Sequence, residues 1–123
     1  MTVKALSEYG RIAAKLAQLQ RLLESLNSYA EQSRKSGGSF DNVESEIAAI
    51  KKEISELKPI IESEKTAVED FISLLDDAEV KTYIRLHYVR GLTWTETAVI
   101  TRAPFGEDSV KQRVYRYLRD SEV

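Results

Sequence analysis

Apolar side chains recur at alternating steps of three and four residues along two stretches of the chain. In the first stretch, from about residue 2 to residue 35, the repeat consists of Tyr9, Ile12, Leu16, Leu19, Leu23, Leu26 and Ala30. In the second stretch it consists of Val43, Ile47, Ile50, Ile54, Leu57, Ile61, Val68, Phe71 and Leu75, interrupted by Glu64. This spacing is a heptad seam, and it predicts two long helices that pack together along one face of each.

A glycine-containing break separates the two seams. The sequence Ser36-Gly37-Gly38-Ser39 favours the end of a helix, and Asp41 with Glu44 has the spacing of a capping box that opens the next one. Helices joined by a short connection pack antiparallel. We therefore predict a long antiparallel coiled-coil hairpin over residues 1–75, with its turn at about residues 36–42.

Two residues are unfavourable within these helices. Pro59 lies off the seam and lacks a backbone donor, so we expect it to bend the second helix without ending it. Gly10 costs about 1 kcal/mol of helix propensity, so we expect the first turns to fray.

Apolar residues also occur away from the seam, at Leu6, Leu22, Ile60, Ile72 and Leu74. Because a two-helix hairpin buries only a narrow face of each helix, these residues indicate that the hairpin has a second contact. Either a partner chain or the C-terminal part of this chain would supply that contact. A homodimer in which two hairpins form a four-helix bundle is one hypothesis.

The pattern changes after the second seam to three shorter helices, which we assign to a module over residues 76–123. Asp76 with Glu79 has capping-box spacing and is expected to open the first of them, which ends at Gly91. The apolar residues that follow helical spacing here are Val80, Tyr83, Ile84 and Tyr88.

The second and third helices of this module have the order of a helix-turn-helix. Thr93 with Glu96 opens the second, which runs to about residue 101, and the third opens near Glu107 or Asp108 and continues to about Arg119. Their expected buried residues are Trp94, Thr97, Ala98, Ile100, Val110, Val114, Tyr117 and Leu118. In proteins with this motif, the last helix enters the major groove of DNA.

The third helix carries a local excess of positive charge, although the formal net charge of the chain is −2. Long cationic side chains on such a helix contact phosphates, and polar side chains near its start reach base edges. The residues assigned to bases or nearby backbone are Ser109, Lys111 and Gln112, and those assigned to phosphates are Arg113, Arg116 and Arg119. Thr93 is first a helix cap and second a phosphate contact. Arg90 and Arg102 would extend the phosphate footprint.

The module resembles a known DNA-binding family. Tyr88, Gly91, Leu92, Thr93, Glu96, Ala98 and Val110-Lys111-Gln112 are similar to the helix-turn-helix in the fourth conserved region of bacterial sigma factors, which reads a promoter element. With the hairpin before it, the chain resembles small regulators of phages and prophages of Gram-positive bacteria, related to late-gene transcription regulators. The resemblance implies sequence-specific binding to double-stranded DNA in the bacterial cytoplasm, with RNA polymerase as a further candidate partner.

The chain departs from the sigma pattern at three places. The segment between Ala98 and Val110 is about two residues longer than the sigma-like turn, and we expect Pro104-Phe105 to form a hydrophobic plug beneath it. Glu107 and Asp108 place negative charge where the last helix would meet DNA, which stabilises the helix dipole but repels phosphate. Thr97 replaces the usual branched aliphatic residue of the second helix.

The composition argues against several other classes of protein. The chain has no cysteine and one histidine, His87, without a nucleophile or carboxylate at the spacing of a catalytic triad or metal cluster. We therefore predict no enzyme activity, no cofactor and no metal. No apolar run approaches the roughly 18 residues of a membrane span, and a signal-peptide core is missing, so we expect a cytoplasmic protein.

Two alternatives to a DNA-binding regulator remain at this stage. One is a protein-interaction adaptor in which the hairpin is the functional surface and the sigma-like module contacts RNA polymerase or another phage protein without DNA. The near-neutral charge and the Glu107-Asp108 pair favour it. The other is a small terminase subunit, which also joins a helix-turn-helix to helical oligomerisation segments.

Overall fold

A computed structural model of the chain describes residues 1–35, 37 and 41–121. Within these residues the secondary structure is helical, without strands, which confirms the prediction of an all-α chain with a long helical pair. The helices are α1 (Val3–Lys35), α2 (Asp41–Ser73), α3 (Ala78–Ile84), which continues into a π-helical turn (Arg85–Val89), α4 (Trp94–Ile100) and α5 (Gly106–Ser121). No helix in the described part of the chain is long and apolar enough to cross a membrane.

Residues 12–62 form a compact unit that contains most of α1 and the first part of α2. The seam side chains of this unit are buried or half-buried: Ile12, Leu16, Leu19, Leu23, Leu26 and Ala30 on α1, and Val43, Ile47, Ile50, Ile54, Leu57 and Ile61 on α2. The side chains of Arg34 and Glu44 form an ion pair at 3.5 Å, so the end of α1 lies beside the start of α2. The seam is thus the contact of an antiparallel, hairpin-like pair.

Two sequence predictions concern the connection and the proline of this pair. The predicted turn at about residues 36–42 falls largely outside the described residues, as does the Asp41 side chain that was expected to cap the second helix. Pro59 lies inside α2, which continues to Ser73, so the prediction that the proline does not end the helix is confirmed. Its exposed position on the helix surface leaves the buried seam intact.

The other compact unit comprises Met1–Arg11 together with Ser63–Val123. Its buried apolar side chains are Leu6, Tyr9, Val68, Ile72, Leu75, Val80, Tyr83, Ile84, Tyr88, Ala98, Val110, Val114 and Leu118. This grouping differs from the predicted division at residues 75 and 76, because the start of α1 and the end of α2 belong with the short helices. Two of the off-seam residues, Leu6 and Ile72, are fully buried here, so the C-terminal part of the chain supplies their second contact.

Gly10 lies in this unit at a close approach between two backbones. A Cβ atom at Gly10 would stand 3.1 Å from the carbonyl oxygen of Tyr88 in the π-helical turn. Leu6 and Tyr9, which precede Gly10 in α1, are 0% and 5% exposed, and the helix begins at Val3, so the structure gives no support to the expected fraying of the first turns. Burial raises the pKa of the Tyr88 hydroxyl to about 12, and a hydrogen bond with the Ser7 side chain partly opposes that shift. The absence of a side chain at Gly10 therefore permits the contact.

Helix α3 is capped by Asp77, not by Asp76 as the sequence pattern suggested. The Asp77 carboxylate accepts hydrogen bonds from the amides of Glu79 and Val80 at 3.0 and 3.1 Å. The prediction is wrong by one residue because the amide of Leu75 still donates to the Ile72 carbonyl at 3.2 Å, which prolongs the last turn after α2. The Asp76 amide instead donates to the hydroxyl of Tyr117 at 3.3 Å.

Helix α3 ends in a wider turn that the sequence pattern did not predict. The amide of Arg90 donates to the carbonyl of Arg85 at 3.0 Å, the five-residue step of a π-helix. Gly91 then adopts a left-handed conformation with φ of 79°, as expected for a glycine that ends a helix. The Leu92 amide donates back to the Leu86 carbonyl at 3.0 Å and closes the end of the helix.

Candidate nucleic-acid interface

Helix α4 begins with the capping box that the sequence predicts. The Thr93 hydroxyl accepts a hydrogen bond from the Glu96 amide, and the Glu96 carboxylate accepts one from the Thr93 amide, both at 3.0 Å. These bonds with the backbone and the hydroxyl of Thr93 lower the pKa of Glu96. The capping role of Thr93 is confirmed, and its contact with a phosphate stays a prediction.

Arg102, two residues after the end of α4, has an unusual backbone conformation. The amide of Arg102 donates to the Val99 carbonyl at 3.2 Å, and the amide of Ala103 donates to the Ala98 carbonyl at 3.0 Å. These two bonds form a Schellman motif, whose left-handed position is usually occupied by glycine. Arg102 occupies it with φ of 55°, and its side chain is exposed.

One side of α5 is anchored in the core. Val110, Val114 and Leu118 are spaced four residues apart and are no more than 2% exposed, and the helix packs against both α3 and α4. Helical spacing therefore directs the opposite side, with Ser109, Gln112, Arg116 and Arg119, to solvent, and Lys111 lies on its flank. We call these five residues the α5 face, and all of them are exposed.

An aromatic cluster supports the α4 side of this helix. The rings of Trp94 and His87 are stacked with centroids 3.7 Å apart, and the edge of Trp94 meets Tyr115 at 6.2 Å. The Nζ atom of Lys111 lies 5.7 Å from the centre of the Tyr115 ring. Trp94, which was expected to be buried, is half-buried in this cluster. Sequence reasoning missed Tyr115, although its position four residues after Lys111 places both on one side of the helix.

The environment of His87 favours the neutral form of its imidazole ring. Burial lowers its pKa, the Leu92 carbonyl acts in the opposite direction, and the charge of Lys111 lowers it further. The Nδ1 atom lies 2.7 Å from the Leu92 carbonyl oxygen, so Nδ1–H donates this hydrogen bond. The histidine thus joins the end of α3 to the segment before α4.

Arg113 does not belong to the α5 face. Its guanidinium forms ion pairs with the carboxylates of Asp77, at 2.9 Å, and Glu79. The hydrogen bond with Asp77 is the main cause that raises the pKa of Arg113. Partial burial acts against ionisation of Asp77, but the Val80 amide and Arg113 outweigh it and lower the pKa of Asp77. The structure therefore gives no support to the prediction that Arg113 contacts phosphates, because its side chain holds α5 against the start of α3.

The acidic start of α5 is partly engaged within the protein. The hydroxyl of Thr95 donates to the Glu107 carboxylate at 2.6 Å, so Glu107 joins α4 to α5, and Asp108 remains exposed. The predicted hydrophobic plug is wrong, since Phe105 is 81% exposed. Gly106, with φ of 79°, turns the backbone into α5 directly after it. Ile100, which was expected to be buried, is 59% exposed.

The buried side of α4 contains Thr97, the residue that departs from the sigma pattern. Its side chain is fully buried, and its hydroxyl oxygen has no hydrogen-bond partner within the described part of the chain. A branched aliphatic residue of the same shape would fill this position without a buried polar atom. Thr97 therefore packs as valine would but contributes less stability.

The electrostatic character of the α5 face follows from its unpaired cations. Within the described part of the chain, Lys111, Arg116 and Arg119 form no ion pair with a carboxylate, in contrast to Arg113. Arg102, at the end of α4, likewise forms none with a described residue. The face therefore presents three positive side chains beside the hydrogen-bonding groups of Ser109 and Gln112. The exposed carboxylates of Asp108 and Asp120 lie at its two ends. The three positive charges outnumber these two negative charges, so the face attracts a polyanion.

Comparison with known proteins adds nothing to the sequence resemblance. No protein-family model, no curated protein and no solved structure matches the chain. The functional interpretation therefore depends on the arrangement of α3, α4 and α5 and on the motif of residues 75–98.

Proposed function

We propose that the chain binds double-stranded DNA through the α5 face and that it acts as a transcription regulator of a phage or prophage. The observation that carries the proposal is the set of exposed cations on α5 that form no ion pair with a described residue, on a helix whose other side is anchored by Val110, Val114 and Leu118. The regulatory part of the proposal depends on the resemblance to the sigma helix-turn-helix.

The dimensions of α5 fit a groove of DNA. The helix has 16 residues and is about 24 Å long at 1.5 Å per residue. The major groove is about 12 Å wide and admits one helix. Arg116 and Arg119 lie one turn apart in the second half of α5 and would contact phosphates, whereas Ser109 and Gln112 lie nearer its start and would reach base edges.

The salt dependence of binding tests this assignment. If Lys111, Arg116 and Arg119 each neutralise one phosphate, the logarithm of the affinity should fall with the logarithm of salt concentration with a slope of about −2.7 from these three contacts. Replacing Arg116 and Arg119 together by Ala should weaken binding to all duplexes and flatten the slope by about two units. Fluorescence anisotropy of a labelled duplex measures both quantities.

The matched control changes the same charge elsewhere. Lys51→Ala with Lys58→Ala removes two exposed cations from α2 and alters the net charge equally. We expect this variant to bind DNA as the unmodified protein does. Equal losses in the two variants would mean that DNA responds only to net charge, and unchanged binding in the α5 variant would reject the proposed face.

A protein-interaction adaptor is the second candidate, favoured by exposed apolar side chains beside the helix-turn-helix. Val99, Ile100 and Phe105, at the end of α4 and in the following turn, are 71%, 59% and 81% exposed. Neighbouring apolar side chains in solvent are typical of protein contacts. In this function, the end of α4 would contact RNA polymerase or another phage protein.

Two measurements separate the candidates. An adaptor should give no shift of random duplex DNA at low salt, whereas a DNA-binding protein should give one. Val99→Ser with Phe105→Ser should abolish capture of purified bacterial RNA polymerase by the adaptor, and should leave the DNA affinity of a DNA-binding protein unchanged.

A further inference from the structure

The unit of residues 12–62 retains an apolar surface that nothing in the described chain covers. Leu22, Tyr29 and Ile60 are 44%, 56% and 43% exposed. Each directly precedes a seam residue, respectively Leu23, Ala30 and Ile61. All three therefore lie on the same flank of the seam, and we call them the outer patch.

The opposite flank has a different chemical character. The residues that directly follow seam positions are polar or alanine, and polar pairs of them line grooves between the helices: Asn27 with Lys51, and Gln20 with Lys58. The Arg34–Glu44 ion pair lies on this flank as well. Large exposed apolar side chains are thus concentrated on the other flank, which is the pattern of a helical pair with a further contact on that side.

The antiparallel packing of α1 and α2 brings the outer-patch residues of the two helices close together. The register that brings Asn27 beside Lys51 and Gln20 beside Lys58 places Leu22 of α1 and Ile60 of α2 about 6 Å apart along the pair, at 1.5 Å per residue. The same offset separates Tyr29 from Glu53. The point midway between Leu22 and Ile60 is therefore the centre of the patch.

Two oppositely charged residues flank this centre at equal distances, so the surface is complementary in charge to a second copy of itself. Lys15 lies seven residues before Leu22, and Glu53 lies seven residues before Ile60 on the antiparallel helix. Both side chains are exposed, and they stand on opposite sides of the centre at about 7–8 Å each, at 1.5 Å per residue. A twofold axis through the centre would bring Lys15 of one copy against the partner's Glu53, and the reverse pair would form at the other end.

We propose that residues 12–62 pair with a second copy of this chain through the outer patch, with Leu22 and Ile60 at the twofold axis and two Lys15–Glu53 ion pairs at its ends. A closed twofold contact uses the same surface on both copies, which the arrangement of these residues satisfies. A helix of another protein could cover the apolar centre, but it would give no reason for opposite charges at equal distances from that centre. The inference does not depend on DNA binding.

The available surface is sufficient for a stable contact. Two adjacent helices about 20 Å wide together and about 35 Å long offer roughly 700 Å² per copy, close to the ~800 Å² per partner of a standard interface. An apolar centre with a charged rim is the usual arrangement of such an interface.

Sedimentation equilibrium of the full chain at micromolar concentration tests the pairing. We expect the unmodified protein to be a dimer and the variant Leu22→Ser with Ile60→Ser to be a monomer with unchanged helical content by circular dichroism. The control Leu74→Ser with Phe105→Ser makes the same chemical change at two exposed residues outside the outer patch and should remain dimeric. A monomeric unmodified protein, or dimers that tolerate the Leu22 and Ile60 substitutions, would overturn the proposal.

Charge exchange tests the twofold register. Lys15→Glu or Glu53→Lys alone places like charges together at both ends of the interface and should weaken self-association about tenfold. An equimolar mixture of the two single variants restores both opposite-charge pairs, so it should form a mixed dimer about as tightly as the unmodified chain. Single variants that dimerise normally, or a mixture that stays monomeric, would refute the proposed arrangement.

Discussion

Arg102 occupies a backbone conformation that is unfavourable for any residue with a Cβ atom. It stands at the left-handed position of the Schellman motif that ends α4, with φ of 55°. Strained residues of this kind are concentrated at functional sites, because the side chain provides something that glycine would not. The exposed guanidinium of Arg102, next to the start of α5, is consistent with the proposed phosphate footprint.

Replacing Arg102 by glycine should have opposite effects on stability and on DNA binding. Arg102→Gly should relieve the strain and raise the free energy of unfolding by about 1 kcal/mol. The same change should weaken DNA binding if the guanidinium contacts a phosphate. Chemical denaturation measures the first effect, and anisotropy with a duplex measures the second.

The control for this prediction is Arg90→Gly. Arg90 is also exposed, but it has φ of −88° in the right-handed region, so glycine there relieves no strain. We expect Arg90→Gly to lower the stability. An Arg102→Gly protein that is less stable than the unmodified one would contradict the assignment of strain.

At the scale of elements, the Asp77–Arg113 ion pair contributes to the stability of the contact between α3 and α5. Asp77 caps α3 and also accepts from Arg113, so its lowered pKa links the stability of this contact to pH. Because the folded-state pKa lies below the unfolded value of 3.8, ionisation of Asp77 stabilises the fold above that value, and the contribution is lost as pH falls through the folded-state pKa.

Arg113→Ala should therefore reduce stability at neutral pH by less than about 1 kcal/mol, since the pair is partly exposed to solvent. The difference from the unmodified protein should disappear once the pH is below the folded-state pKa of Asp77. Urea denaturation across this pH range measures it. Arg113→Ala should leave the salt slope of DNA binding unchanged, and a flattened slope would restore Arg113 to the phosphate contacts.

The short helices also show which contacts a sequence reveals. The Thr93–Glu96 capping box was predictable because its two members lie three residues apart and determine each other locally. The pairing of Arg113 was not, because its partners precede it by 34 and 36 residues. The cap of α3 was misplaced by one residue because only Asp76, with Glu79, has capping-box spacing, whereas the turn after α2 extends to Leu75 and leaves Asp77 as the cap.

For the molecule as a whole, the heptad pattern predicted the long helical pair but not the division into compact units. The seam identifies which faces of α1 and α2 meet, because apolar spacing encodes that directly. It does not distinguish off-seam residues buried by the short helices, such as Leu6 and Ile72, from those left exposed, such as Leu22 and Ile60. The all-α class and most helix bounds were thus predictable. The grouping of the start of α1 with the short helices in one compact unit was not.

A substitution at Gly10 tests whether the start of α1 packs within this compact unit. Gly10→Val should destabilise the unit of Met1–Arg11 and Ser63–Val123 by about 1–3 kcal/mol, because the added side chain overlaps the Tyr88 carbonyl. Ala14→Val, at an exposed position one turn later in α1, is the control and should have a small effect. Trp94 fluorescence during thermal unfolding reports on the unit, and equal stabilities of the two variants would reject the close approach as a constraint.

Because residues 1–11 and the residues beyond 62 form one compact unit, this unit cannot be completed early during synthesis on the ribosome. The side chains of Leu6 and Tyr9 leave the ribosome before Val110, Val114 and Leu118 of the same core, which follow about a hundred residues later. Contacts so distant along the chain form late. Until α5 has been synthesised, the nascent polypeptide exposes apolar surface around Leu6 and Tyr9, where a chaperone has the opportunity to bind.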